Sequence, residues 1–590
     1  MSSNNLTIIR NTTEHVLTMA MEILYGQKKV IKAMGPAIED GFYFDFDSPK
    51  SFKLSKDNFK EIEKQIQKLV NLNLPVTIEL VSEKKAREIF KDNKYKQFWI
   101  DEIIKKSKTV RIVTIGKQGT NYYFPDVCKD EHLTSTGEIK AFKLLSVAGA
   151  YWRGSEKNKM LTRIYGTAFE TQKELRQFLA NQAEAKKRDH RKLGPQLDLF
   201  VISEDIGKGL PLLTPKGTTI KNQIKAYEKE LETIYGFEEV SCPHIAKNDL
   251  YKRTGHWQHY QDVMYAPFGI DDETYVLKPM NCPHHYMIYE SKPRSYKDLP
   301  IRLSEAGTCY RYEKSGELGG LTRVRSLTID DAHILMRPNQ IETEFTSCIS
   351  MVKSMFKAFG LTDYWVRLSL ADPDDNAKYI ADANTWKKAG QQLEKIIKQN
   401  KLKYQAVKGE ASFYGPKIDF MVKDAIGREW QMSTLQLDLF MGQRLGLVYT
   451  DEDGSKQHPA ILHRGLTGSL ERTIGILIEH FAGAFPVWLS PVQVVILPIS
   501  VKQDKYAKAV FDNLKQEGIR VELDNRSESL GSRIRDAETQ KTPYTLIAGD
   551  KEVKVNKVSV RQRKNGDLGV MSQSKFIEKI KSEIEDKAIN

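Results

Sequence analysis

The chain has 590 residues, 28% of them charged and 40% apolar, with a formal net charge of +13. At roughly 100–200 residues per domain it holds about three to five domains. No apolar run approaches the roughly 18 residues of a membrane span, and MSSNNLTIIRNTTEHV lacks the pattern of a secretory leader, so a cytoplasmic protein without a membrane partner is expected. The basic excess favours a polyanion such as nucleic acid. Five widely spaced cysteines (Cys128, Cys242, Cys282, Cys309, Cys348) argue against a disulfide framework.

Residues 1 to about 170 mix helical and strand patterns. In Glu14–Tyr25, Val16, Leu17, Ala20, Ile23 and Leu24 share a helical face. KVIKAMGPAIEDGFYFDFD predicts a hairpin punctuated by Gly35-Pro36 and Gly41. Asp57–Asn71 predicts a charged amphipathic helix. Glu170–Lys192, with KKRDHRK at its end, predicts a linker helix stopped by Gly194-Pro195. Alternating patterns at Tyr275–Leu277, Ile301–Leu303 and Trp365–Leu370 predict an antiparallel sheet, and Thr467–His480 a helix. From LSPVQVVILPIS onward the order is strand Val492–Leu497, helix Tyr506–Gln516, strand Arg520–Leu523, a helix after Leu530, and strand Tyr544–Ala548. That alternation predicts a small α/β domain with a mainly parallel sheet.

Cys282 in KPMNCPHH, His333 in IDDAHIL and His463 in ILHRGL carry the chemistry. One thiolate and two imidazoles make a zinc ligand set with an open fourth position. Taken singly, each histidine reads more readily as a core residue than as a ligand, and each nearby arginine more readily as a surface ion pair. Together with Arg311 and Glu313 in CYRYEKSGELGGLTRVR, and Arg472 in GSLERTIGILIEH, they point to an enzyme that activates a small amino acid with ATP.

The runs TGHWQHY, KPMNCPHH, CYRYEKSGELGGLTRVR, IDDAHIL, SFYGPKIDF, GREWQMSTLQLD and ILHRGLTGSLERTIGILIEH, in this order, resemble the threonyl-tRNA synthetase family of class II aminoacyl-tRNA synthetases. The resemblance covers nearly the whole chain. It implies an α+β multidomain protein: an editing domain over 1–170, a linker helix over 171–195, a class II catalytic domain over 196–489 built on an antiparallel sheet flanked by helices, and an α/β anticodon-binding domain over 490–590. Many bacterial members begin with a ubiquitin-like domain, which is expected to be absent here. The implied partners are L-threonine, ATP, tRNA(Thr) and a second copy of the chain, which would pair through a segment ending near Pro243.

By the same resemblance, Arg311 clamps the α-phosphate and Glu313, expected on the same strand face, recognises adenine. Arg323, expected on the paired strand, and Arg472 hold the γ-phosphate, with Mg2+ sharing the charge. Leu327 stands where the family carries a stacking aromatic, and Gly319 where it often has histidine. Cys282, His333 and His463 hold one zinc per subunit. Asp331, Tyr414, Gln431 and Gln436 complete a threonine pocket, and Lys417 lies near the reacting carboxylate. His256 helps deprotonate the tRNA hydroxyl, for which an ordinary pKa of about 6.5 is suited. The implied editing pocket holds His15, Asp126, Cys128 and His132, with Asn11 replacing a usual histidine. Arg535, Glu552 and Arg561 read the anticodon, and Ser527 stands in place of asparagine. A sister enzyme for proline, serine or alanine would not need the Cys/His/His set, so zinc content separates it. ATP–pyrophosphate exchange separates a silent tRNA-binding paralogue or a zinc-dependent RNA-binding protein.

Overall fold

The computed structural model describes residues 2–49, 51–375 and 378–589. The chain divides into two units, Met1–Ala183 and Glu184–Asn590.

The first unit packs the helices Ser2–Tyr25 and Phe59–Asn71 on a sheet ordered Ile31–Met34, Gly41–Asp47, Met160–Phe169, Ala141–Tyr151, with Ala37–Ile38 pairing beside it. The first helix starts well before Glu14. Val16, Leu17 and Ala20 join the core, as the spacing predicts, with Leu24 partly buried against it, but Ile23 is exposed and Met21 is buried instead, and Asn11, Thr12, Thr13, Glu14 and His15 are buried as well. A buried polar run is costly unless its groups are paired; the Thr12 and Thr13 hydroxyls donate to Ile8 O and Ile9 O, whereas Glu14 Oε1 and both His15 ring nitrogens have no hydrogen-bond partner. The Asp57–Asn71 pattern resolves into a 3-10 turn, Lys56–Asn58, capped by Ser55, and the helix Phe59–Asn71. A second sheet, Val76–Ser82, Thr109–Gly116 and Tyr123–Val127, carries Asp126.

The second unit is built on eight strands in the order Glu238–Glu239, Ile301–Tyr310, Ser326–Met336, Ala460–Ser469, Glu429–Asp438, Lys417–Lys423, Tyr364–Leu370, Tyr404–Lys408. The six central strands are antiparallel, and each edge strand runs parallel to its neighbour. One face packs on the helices Pro215–Ile234, Ile341–Ala358 and Ala383–Gln399 through an aliphatic core. Within that core Arg464 is fully buried between Glu232 (2.6 Å) and Asp330 (2.7 Å), so its charge is matched. The opposite face carries the site.

Four expectations need correction. Tyr275–Leu277 lies in a separate three-stranded sheet with Ile245–Lys247 and Phe268–Ile270. Thr467–Ser469 ends a strand, and the helix is Leu470–His480, where the Ser469 side chain accepts from Arg472 N. The linker helix does not end at Gly194-Pro195. It breaks at Asp189, whose carboxylate caps a second helix, His190–Gln196, that runs through both residues. Gly194 serves packing instead, since a Cβ there would lie 2.1 Å from the Phe200 ring. Finally, the C-terminal sheet is mixed. Val521–Leu523, Val494–Pro498 and Tyr544–Ala548 are parallel, whereas Lys557–Gln562 and Gly566–Ser572 add on antiparallel.

Candidate active site

Strand register assembles the site. His333 lies opposite His463, which lies opposite Gln436, then Lys417, then Ser369, forming one row across five strands. Side chains two residues along a strand share a face, so the neighbouring row, Asp331, Gly465, Thr434, Asp419 and Arg367, points the same way. The helix Cys282–Glu290 brings Cys282 over this face. One ligand atom each from Cys282, His333 and His463 lies within 4.8 Å of the others.

Each histidine has one ring nitrogen engaged and one bare. His333 Nδ1 is 2.9 Å from His285 Nδ1, and His463 Nε2 is 3.2 Å from Asp438 Oδ2 and 3.3 Å from the Tyr286 hydroxyl. His333 Nε2 and His463 Nδ1 are buried without a hydrogen-bond partner. Outer partners orient metal-binding histidines in this way, and burial holds His333 well below its ordinary pKa, in the neutral ligand form. Burial pushes the Cys282 thiol well up, a penalty that a cation beside it would reverse. The donor set therefore fits a zinc ion.

Tyr414 stacks on His463 at 4.7 Å and donates to Gln436 Oε1 at 2.6 Å. Asn281 donates to Asp331 at 3.2 Å. Gln431 is turned toward Asp419 (2.9 Å) and Arg367 (2.8 Å), one row from His333. Lys417 Nζ is 3.3 Å from Asp419.

The nucleotide residues do not all sit where expected. Arg311 leaves the end of the strand Ile301–Tyr310 and donates to Pro279 O. Glu313 and Arg323 are both on the loop between the strands rather than on the strands, and they pair with each other at 2.8 Å. Leu327 is on the strand Ser326–Met336 on the same face as Asp331 and His333, packed with Cys309 and Val324. Arg472 lies within 6.0 Å of the Trp430 ring.

His256 differs most from expectation. It is 1% exposed, and burial, with lesser help from the charge of His463, pushes its pKa down to about 3. The Thr254 hydroxyl, already donating to Leu250 and Tyr251 carbonyls, accepts from His256 Nδ1 at 2.8 Å, which leaves Nε2 bare as an acceptor.

In the first unit His15, Cys128 and His132 also offer ligand atoms within 4.8 Å of one another. Around them are groups that the sequence does not flag. Lys96 Nζ is 2.6 Å from Asp126, and Lys32 Nζ bonds Pro125 O at 2.8 Å. Both lysines are buried. Burial raises Glu14 well above its ordinary range; Asp126 is lowered, because Lys96, Lys32 and His15 outweigh its burial. Burial lowers His15 well below its ordinary pKa and takes His132 down to about 4 and the Cys128 thiol up to about 12. Asn11 ties two backbones, accepting from Ala37 N at 3.2 Å and donating to Glu131 O at 3.5 Å. Asp438 and His285 could have been found from spacing, two residues after Gln436 and three after Cys282, but nothing local points to Lys96.

In the C-terminal domain Ser527 lines a cavity of about 350 Å3 with Pro498, Asn525 and Arg533. Arg535 is exposed on the helix Leu530–Thr539, Glu552 caps Gly549 N, and Arg561 lies on the strand Lys557–Gln562; none of the three lines that cavity.

A mostly antiparallel sheet with arginines at a strand end, on the joining loop and on a following helix defines the core of a class II aminoacyl-tRNA synthetase. Residues 268–481 match the family model described as the tRNA synthetase class II core domain (G, H, P, S and T), 493–583 match the anticodon binding domain, and 110–165 match the threonyl and alanyl tRNA synthetase second additional domain. The threonine–tRNA ligases of Rubrobacter xylanophilus and Staphylococcus aureus are each 45% identical to this chain over 99% of it, and over 90% and 89% of their own lengths. The RNA binding domain of threonyl-tRNA synthetase from Cryptosporidium parvum superposes with a TM-score of 0.64 at 34% identity, covering 67% of this chain and 98% of that one. The chain belongs to the threonine–tRNA ligase family. It is an ATP- and Mg2+-using ligase with the editing-type and anticodon-binding domains of that family.

Proposed function

We propose that the face carrying His333, His463, Gln436 and Lys417 activates L-threonine as its adenylate, and that the chain then charges tRNA(Thr). What carries this reading is the pair of unpartnered nitrogens, His333 Nε2 and His463 Nδ1, gathered with the Cys282 thiol. When bound there, zinc supplies a Lewis-acid position for the amine and hydroxyl of threonine, which valine cannot fill.

Asp331 accepts a hydrogen bond from the substrate amine, while Gln436, held by Tyr414, shapes the side-chain end of the pocket. The threonine carboxylate attacks the α-phosphorus and pyrophosphate leaves, so positioning and charge neutralisation are the main tasks. Arg311 neutralises the α-phosphate, Arg323 and Arg472 hold the leaving pyrophosphate, Glu313 meets the adenine amino group, and Leu327 offers it an aliphatic wall. Lys417 stands by the reacting carboxylate. His256 orients the tRNA ribose hydroxyl through its bare Nε2; with a pKa near 3 it is too weak a base to remove the proton unaided.

The pocket of Asn11, His15, Asp126, Cys128 and His132 hydrolyses seryl-tRNA, because serine keeps both groups that the threonine site reads. Ser527, Arg535, Glu552 and Arg561 contact the anticodon. The modules are 1–170, 171–195, 196–489 and 490–590, and the working form is a cytoplasmic homodimer.

The test is ATP–pyrophosphate exchange with threonine, serine and valine, before and after zinc chelation. Threonine-dependent exchange that falls on chelation is expected. Exchange insensitive to complete zinc removal would overturn the metal assignment, and no exchange with any amino acid would overturn the catalytic one.

A further inference from the structure

His190 lies outside all three matched segments, yet it joins two parts of the nucleotide site. It sits on the short helix His190–Gln196 and is 4% exposed. Its backbone N–H and its Nδ1 both reach Glu479 Oε1, at 3.0 and 2.6 Å. Glu479 lies on the helix Leu470–His480, which also carries Arg472, and its other oxygen is 2.5 Å from Arg428. With the Nδ1 proton given to Glu479, the neutral ring has a lone pair at Nε2, and Leu321 N–H donates to it at 3.0 Å.

Leu321 belongs to the loop that carries Glu313 and Arg323. The turn closes on itself through Thr322 N and its hydroxyl to Gly319 O, at 3.0 and 2.7 Å, and Gly319 N to Arg323 O at 3.2 Å. Gly319 O is also 3.1 Å from His190 Nε2, so the ring meets the loop at two backbone atoms. Two glycines permit the close fit. Gly320 has φ +63°, and a Cβ on it would lie 2.4 Å from His190 Nε2. A Cβ on Gly475 would lie 3.2 Å from Leu321 Cβ and 3.3 Å from Thr322 Cγ2. Arg323 is two residues beyond Leu321, and Arg472 is three residues before Gly475.

We propose that His190 is a positioning residue for ATP: by tying Leu321 to Glu479 it sets the spacing between Arg323 and Arg472. This rests on the reading that those two arginines bind the nucleotide. A carboxylate-bound imidazole suits the role, since it offers a directed acceptor on a short, fixed arm.

The test measures KM and kcat for ATP and KM for threonine by pyrophosphate exchange, on the full-length chain. His190→Asn keeps an amide near Nδ1 for Glu479 but removes the acceptor at Nε2. His190→Gln places an amide oxygen near Nε2. His190→Asn is expected to raise the ATP KM about 5–20-fold, the worth of one buried hydrogen bond, with threonine KM unchanged; His190→Gln is expected to recover most of the loss. Gly475→Ala, which presses on Leu321 without touching Glu479, should raise ATP KM in the same direction. Arg323→Ala and Arg472→Ala serve as references. If they raise ATP KM while His190→Asn and His190→Gln lower only the melting midpoint or kcat, the inference is overturned and the nucleotide reading stands. If neither arginine variant changes ATP KM, the nucleotide reading fails and the inference falls with it.

Discussion

Two clusters in this chain have the same composition, one cysteine and two histidines with ligand atoms within 4.8 Å, yet their surroundings differ. At Cys282, His333 and His463 each ring has one nitrogen engaged by a neighbouring residue and one left bare. At His15, Cys128 and His132 only His132 repeats that order, with Nδ1 3.4 Å from the Thr12 hydroxyl and Nε2 bare; His15 has no hydrogen bond at either nitrogen, and of the two carboxylates 3.6 Å from it, Glu14 and Asp126, the second is already claimed by Lys96. Two buried ammonium groups beside a cluster oppose a divalent cation and favour an anion or a polarised water. The donor atoms alone therefore do not say which chemistry a site performs; the fixed charges behind them decide.

The most severe way to break that comparison is to count metal. Cys282→Ala or His463→Ala should remove the zinc and lower threonine-dependent exchange by about 100-fold or more, whereas Cys128→Ala should leave zinc content and exchange unchanged. Elemental analysis of the three variants and the wild type decides it, and two zinc ions per wild-type chain would show that the lysines do not exclude metal. A sharper and smaller probe is Lys96→Met. Losing the cation next to Asp126 should slow hydrolysis of seryl-tRNA by about 10–100-fold while threonine activation is unaffected. Deacylation at the wild-type rate would leave Lys96 a structural role only.

The smallest effect is a pH dependence of stability. His132 has its pKa lowered to about 4, so between about pH 6.5 and 4 the unfolded chain holds a proton there that the folded chain lacks. Stability from this group is complete above about pH 6.5 and declines as pH falls, by about 2 kcal/mol at pH 5. The thermal midpoint of the full chain should drop between pH 7.5 and 5, and His132→Asn should make that drop shallower. Equal drops in both proteins would assign the acid sensitivity elsewhere.

What could be read from the residues alone follows the range of the interactions involved. Motif runs identify Cys282, His333 and His463 because each sits in a distinctive local string, and the period of two in Ser326–Met336 puts Leu327, Asp331 and His333 on one face. Strand positions are expected for Glu313 and Arg323 because the pattern does not mark where pairing stops. The strands end at Tyr310 and begin again at Ser326, and the loop between them is held by contacts from His190 and Gly209. Lys96 is invisible for the same reason: its partner Asp126 is in another element, and nothing near it in the chain differs from a solvated lysine. The pKa of His256 also had no local signal, since its depression comes from burial by the whole fold.

The alignment of His333, His463, Gln436 and Lys417 on one rung of the sheet makes the site far more sensitive to length than to identity. Neighbouring strands lie about 4.8 Å apart, and a slip of one residue turns every side chain of that strand to the other face. Deleting a single residue anywhere between Ile461 and His463 would carry His463 from the pocket into the aliphatic core and bring a leucine or arginine out in its place. Variation in length among chains that keep this activity should therefore collect in the loops that join these four strands, and the strands themselves should change only letter for letter.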